Sequence, residues 1–148
     1  MKGHHSIYLL SAIFLWISSL GCSGGIPMNL GIKNEKLAAC PSSPNCVSTQ
    51  AKDPTHSIKP FEFHSNIQEA KEKLKRIILS FPRTRIVEEK ENYLHAEFKS
   101  LIFRFVDDVE FYFDEKNKII HFRSASRVGY SDLGANRKRM EKIRKAFY

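Results

Sequence analysis

A two-layer α+β domain is the fold predicted for this chain of 148 residues: a four-stranded antiparallel sheet with an N-terminal and a C-terminal helix packed on one face. Three observations carry that expectation. Apolar residues recur at helical spacing from Ile67 to Phe81 and again from Leu133 to Phe147. Between these stretches the apolar period shortens to two, as a strand with unlike faces requires. The alternating runs are joined by short connections, which suit an antiparallel meander.

The chain begins with Lys2, His4 and His5, then an apolar run from Ile7 to Leu20 broken only by small hydroxyl residues. Such a layout is that of a secretory signal peptide. Ser19-Leu20-Gly21-Cys22 resembles a bacterial lipoprotein site, although Ser19 stands where that motif usually has Leu. On this reading residues 1–21 are removed and Cys22 becomes the acylated, palmitate-bearing first residue. A plain signal peptide cut near Gly21 is one alternative. A retained anchor is another, but the run is short of the ~20 residues that cross a bilayer. Residues 22–39 read as a tether, because Gly24-Gly25, Pro27 and Gly31 disfavour an early helix. Residues 40–148 read as a single domain.

Cys40 and Cys46 enclose Pro-Ser-Ser-Pro-Asn. Outside the cytosol a small local disulfide is favoured over free thiols or half a metal site. Cys22 is then the odd thiol, consumed by lipid. His56 and His64 do not sit at a zinc-finger spacing, so no metal or cofactor is expected.

Residues 40–60 read as a loop leading to an edge segment around Phe61 and Phe63. Asn66 can cap the first helix, with Glu69 three residues on. Ile67, Ala70, Leu74, Ile77, Ile78 and Phe81 form its apolar stripe, and Pro82 ends it. A first strand covers Ile86–Glu88, and Asn92 makes the turn. In 93–99, Leu94, Ala96 and Phe98 point one way and His95, Glu97 and Lys99 the other. Val109, Phe111 and Phe113 then alternate with Glu110, Tyr112 and Asp114, and Ile120 and Phe122 with His121 and Arg123. The expected meander has one wet face. The last helix is expected from about Asp132 to Phe147, with Leu133, Met140, Ile143 and Phe147 turned inward.

The formal charge is +8, and +7 without the leader, which carries Lys2 and no acid. Basic residues concentrate in 123–148. That fits a solvated helix face, or a surface drawn to anionic lipid headgroups or an acidic envelope protein. Nucleic acid is not expected, given export and the lack of any recognition motif.

Two polar clusters stand out. Asp107 falls on the side of Phe103, Phe105 and Phe111 if its strand is unbroken, and an unpaired buried carboxylate is costly. Either a turn intervenes at Asp107-Asp108, or Asp107, Asp108 and Glu110 belong to an ion-pair network with Arg104, Arg123 or Arg127. The second cluster, Arg123 to Asp132, enters the last helix with two arginines, three serines and Gly129. It could cradle an anion with guanidiniums and helical N–H groups, unless Asp132 caps the helix itself. Arg104, Arg123, Arg127, Tyr130 and Arg137 are the candidate ligand contacts. No catalytic residue is assigned, since nucleophile elbow, metal-ligand run and phosphate loop are all missing.

The blocks Cys40-Pro41-Ser42-Ser43-Pro44-Asn45-Cys46-Val47-Ser48, Tyr93–Glu97, Phe103–Phe111 and Arg123–Arg137 resemble those of the bacterial and plastid family named domain of unknown function 1499. The resemblance covers roughly residues 37–147. It implies frequent export or membrane association and transfers no catalytic role. Its hallmark residues coincide with the two polar clusters, which implies that the clusters form one site. The leading expectation is a non-catalytic cell-envelope lipoprotein facing the periplasm or the outside. It would bind an anionic or amphiphilic molecule, or a protein partner, near the membrane. Ser23 rather than Asp follows Cys22, which resembles outer-membrane sorting where a second membrane exists. The alternatives are an envelope hydrolase using a serine, His95 or His121, and Asp108, and a structural assembly protein without a small ligand.

Overall fold

Asn66 starts helix α1 (Ile67–Leu79) by accepting the Glu69 amide on its side chain at 2.9 Å. In this computed structural model, which describes residues 24–148, the helix buries Ala70, Leu74 and Ile78. Helix α2 (Ala135–Phe147) begins three residues later than its apolar pattern implies. Asp132 lies just before it and accepts the N–H groups of Gly134 at 2.9 Å and Asn136 at 2.7 Å. Leu133 is consequently outside the helix and 86 % exposed. The leader and Cys22 lie outside the described residues.

Among the described residues the sheet has six strands, which corrects the four expected: β1 (Cys46–Ser48), β2 (Phe61–Glu62), β3 (Thr84–Glu89), β4 (Tyr93–Lys99), β5 (Val106–Asp114) and β6 (Ile119–Ser126). β3 to β6 form an antiparallel meander in sequence order. β1 and β2 lie along the outer edge of β6, β1 against Arg123–Ala125 and β2 against Ile119–Ile120. Strands of three and two residues are too short to display a period, so alternation could not reveal them. The edge is nevertheless well held. Ser126 N–H donates to Asn45 C=O at 3.0 Å and Thr49 N–H to Phe122 C=O at 3.0 Å. Cys46 is bonded to Cys40.

Both helices cover one face of the sheet. Leu94, Ala96, Phe98, Val109, Phe111, Phe113, Ile120 and Phe122 pack there against Leu74, Ile78, Met140, Ile143 and Phe147. Each large side chain so buried contributes about 1.5–3 kcal/mol. Phe61 of β2 joins this core, with its ring 4.8 Å from that of Phe122 and 5.7 Å from that of Phe147. Among the described residues every buried apolar side chain falls between Leu37 and Phe147, so residues 24–148 contain a core of their own.

The opposite face was expected to be wet and is not. Tyr93, His95, Glu97, Asp108, Glu110, Tyr112 and Arg123 are all buried. The segment expected to act as a tether crosses them. Gly24 packs beside Arg127 and Val128, Gly31 N–H donates to Glu110 at 2.7 Å, and Leu37 joins Tyr93 and Tyr112 in a small apolar cluster. Gly24 is required at its place. Its φ is +61°, and a Cβ there would lie 2.9 Å from Arg127 Cβ. No described helix is long and apolar enough to cross a membrane.

Candidate functional site

Strand register makes the buried polar face. Glu97 of β4 lies directly opposite Asp108 of β5, and His95 opposite Glu110, which in turn faces Arg123 of β6. Like charges paired across a sheet repel, so Glu97 and Asp108 need a shared cation. Arg127, just beyond β6, supplies it. Its Nη2 lies 2.5 Å from Glu97 Oε1 and 2.7 Å from Asp108 Oδ1, and its Nε donates to Asp108 Oδ2 at 2.8 Å. His95 Nε2 is 2.8 Å from Asp108 Oδ1, and Arg85 Nε donates to Glu97 Oε2 at 2.7 Å. Glu110 receives Tyr93 Oη at 2.8 Å and Arg123 Nη1 at 3.3 Å. Three carboxylates thus meet three guanidiniums.

Burial pushes the Asp108 carboxyl up, but hydrogen bonds from Arg127 and His95 outweigh this and hold it below its ordinary value. Burial acts the same way on Glu97 and is outweighed by Arg85 and Arg127. The bonds to Asp108 raise the Arg127 guanidinium against its own desolvation. Burial, reinforced by Glu110, keeps the Tyr93 hydroxyl protonated far above its usual range. Arg123 Nε is buried with no partner among the described residues.

A second polar cluster lies on the helix side. Asp107 turns there and pairs with Arg139 of α2. Asn136 is fully buried and accepts Ser124 Oγ at 2.5 Å. It donates to Asn45 C=O at 3.1 Å, Ser126 Oγ at 3.0 Å and Asp132 Oδ2 at 2.8 Å. Asn45 Nδ2 donates in turn to Gly129 C=O at 2.5 Å. This cluster fastens β6, α2 and the disulfide loop to one another.

The predicted contacts do not converge. No turn separates Asp107 from Asp108, since β5 runs unbroken through both. The two acids serve opposite faces, so they belong to two networks and not one. Arg123 and Arg127 are held by carboxylates, and Asp132 occupies the start of α2, which leaves no cradle for an anion at 123–132. Arg137 donates to the Ser57 and Thr55 carbonyls, each at 2.9 Å. Tyr130 is exposed, and Arg104 sits on the exposed β4–β5 loop. Nor is a serine triad assembled among the described residues. Ser124 bonds to Asn136 on the helix side, while His95 and Asp108 are buried on the other. Among the described residues no cluster of three His, Cys, Asp or Glu could hold a metal.

Sequence reasoning missed Arg85, Asn136 and Arg139, and did not assign Glu97. Glu97 was findable, because it shares a strand face with His95 and lies opposite an acid, Asp108, on β5. Asn136 gave no signal, because a polar residue near a helix start ordinarily faces water.

The fold and clusters together define an α+β domain whose sheet has an apolar core on one face and an internally neutralised charge network on the other. The chain belongs to the family described as Protein of unknown function (DUF1499), whose profile matches residues 36–147. No curated protein matches it.

Proposed function

We propose that this protein is a lipid-anchored, non-catalytic binding protein of the cell envelope. It is acylated on Cys22, faces the periplasm or the outside, and engages an anionic or amphiphilic molecule at the membrane surface. One observation carries this reading. Gly24 packs against Arg127 and Val128 at the end of the sheet that also exposes Leu101, Ile102 and Phe103. Arg127 N–H donates to Val106 C=O at 3.0 Å, directly after that apolar loop. Two residues of chain reach at most about 7 Å. An acyl group on Cys22 would therefore hold this end of the domain against the bilayer.

The buried network supports a binding role over a catalytic one. Its charges are paired with one another and, Arg85 apart, buried, which suits a role in fixing the fold better than one in reacting with a substrate. The test is intact-mass analysis of the protein from envelope fractions, beside Cys22→Ala. Acylated mature chain in membranes, with the variant released or stalled, is the expected outcome. An unmodified mature chain in the soluble fraction would end the proposal.

A further inference from the structure

The β4–β5 loop, residues 100–105, exposes a run of large apolar side chains. Leu101 is 68 % exposed, Ile102 78 % and Phe103 67 %. The loop has a defined shape. Ser100 N–H donates to Phe105 C=O and Phe105 N–H to Ser100 Oγ, both at 2.9 Å. The rings of Phe103 and Phe105 stack at 5.4 Å. Arg104 holds a left-handed backbone, φ +56°, which is uncommon for a residue with a Cβ. Behind the loop lies an open cavity of about 320 Å³ lined by Arg83, Thr84, Arg85, Glu97, Lys99 and Arg104. Its only carboxylate, Glu97, is already paired with Arg85 and Arg127. Arg83, Lys99 and Arg104 form no ion pair among the described residues.

Apolar tip and basic floor side by side match the two layers of an anionic bilayer. Exposed aromatic and aliphatic groups settle at the headgroup–acyl boundary, and cations behind them meet phosphate. We propose that this end of the sheet inserts into the membrane. Residues 101–105 enter the boundary, and the cavity formed by Arg83, Lys99 and Arg104 takes the phosphate of an anionic phospholipid. Gly24, two residues after Cys22, packs beside the same end. The placement rests on the lipid-anchored reading above, but the insertion itself is testable without the anchor.

Trp16 is the single tryptophan of the chain. Residues 24–148 carrying Phe103→Trp therefore hold one fluorescent reporter, at the loop tip. With phosphatidylglycerol vesicles its emission should move to shorter wavelength and be quenched by bromine on the acyl chains. With phosphatidylcholine vesicles both effects should be much weaker. Each basic side chain near an anionic surface is worth about fivefold in affinity. Arg104→Asn, which tolerates the left-handed backbone, should lose about that factor. Lys145→Glu, in the last turn of α2, should lose less although it changes the charge by twice as much. Equal losses would reduce the site to general charge attraction and overturn the proposal. So would an unmoved emission, or equal shifts on both lipids. Inorganic phosphate at matched ionic strength separates a soluble anion from a lipid. Stabilisation by phosphate while vesicles leave the emission unchanged would assign the cavity to a free anion. Concentration-dependent dimerisation that buries the reporter without lipid would assign the loop to a second copy. Failure of any of these leaves acylation of Cys22, read by mass, undisturbed, and loss of acylation leaves the vesicle result standing.

Discussion

In β5, Asp107 turns its carboxylate to Arg139 on the helix side, and Asp108 turns to Arg127 and His95 on the other. Strand alternation requires the division, and each acid is answered by a cation from a different element. Removing Asp108 takes from Arg127 two of its three carboxylate hydrogen bonds and leaves it only Glu97, which Arg85 also shares. Asp108→Ala, at a site 1 % exposed, should destabilise the fold by ~3–5 kcal/mol in urea unfolding. A loss under ~1 kcal/mol would mean that Glu97, already bonded to Arg127, or entering water satisfies the guanidinium. The network also predicts the response to acid. Asp108 and Glu97 titrate below their ordinary values of 3.8 and 4.5, so the unfolded chain binds protons first. Their contribution is complete above those values and is lost as pH falls through the folded ones. Burial lowers His121 below 6.5, against a smaller opposing pull from Asp114, so its contribution is full above 6.5 and declines below. We predict a stability profile that falls in two stages, first below pH 6.5 and again below pH 4.5, with His121→Gln weakening the first stage alone. Stability that rises on going from pH 7 to pH 5 would contradict this sign. The pairing needs of these acids were legible from their apolar surroundings. Which guanidinium meets which acid was not, because Arg127 and Arg139 arrive from loop and helix positions that strand alternation does not constrain.

At the scale of elements, long periodic runs spoke clearly and short ones did not. Helix α1 stands on its stripe and its Asn66 cap, and β4, β5 and β6 stand on alternation. β1 and β2 hold five residues between them and exist only because β6 offers an edge. For β1 the Cys40–Cys46 disulfide adds a covalent constraint. The Cys40→Ser, Cys46→Ser pair should lower stability by ~2 kcal/mol, the entropy of so short a loop. Hydrogen exchange should accelerate at Ser48, Thr49 and Ser126, whose N–H groups bond His56, Phe122 and Asn45 carbonyls. β4 and β5 amides should keep their protection. Faster exchange across the whole sheet would show that β1 is needed for the fold and does not merely seal an edge. Glycine and proline content suggested a free tether for 22–39. It could not reveal that Gly31 N–H has a buried carboxylate to reach, because a segment without period or helix can still cover a polar face through its backbone.

For the whole molecule, that covering segment couples the anchor to the domain. If Cys22 carries acyl chains, the run from Gly24 to Leu37 is a strap lying on the domain and not a leash. The apolar loop 101–105 is then held near the bilayer whatever its own affinity. Chain length supplies a test. Twenty Gly/Ser residues inserted between Ser23 and Gly24 would give a flexible spacer with an r.m.s. span of about 25 Å. Acylation and the strap contacts should both survive. The local concentration of the loop at the membrane should fall steeply, since it depends on linker length. Arg104 provides the readout, because trypsin cleaves after arginine and this one stands in the exposed loop. In membrane-bound protein with the native spacing, cleavage at Arg104 should be slow at both low and high salt. With the spacer it should stay slow at low salt, where Arg83, Lys99 and Arg104 are attracted to anionic headgroups. It should become fast at high salt, where that attraction is screened. Equal cleavage in both proteins at both salts would mean that the loop faces away from the bilayer. The apolar end would then be an interface for another protein, and the lipid anchor would serve only to locate it.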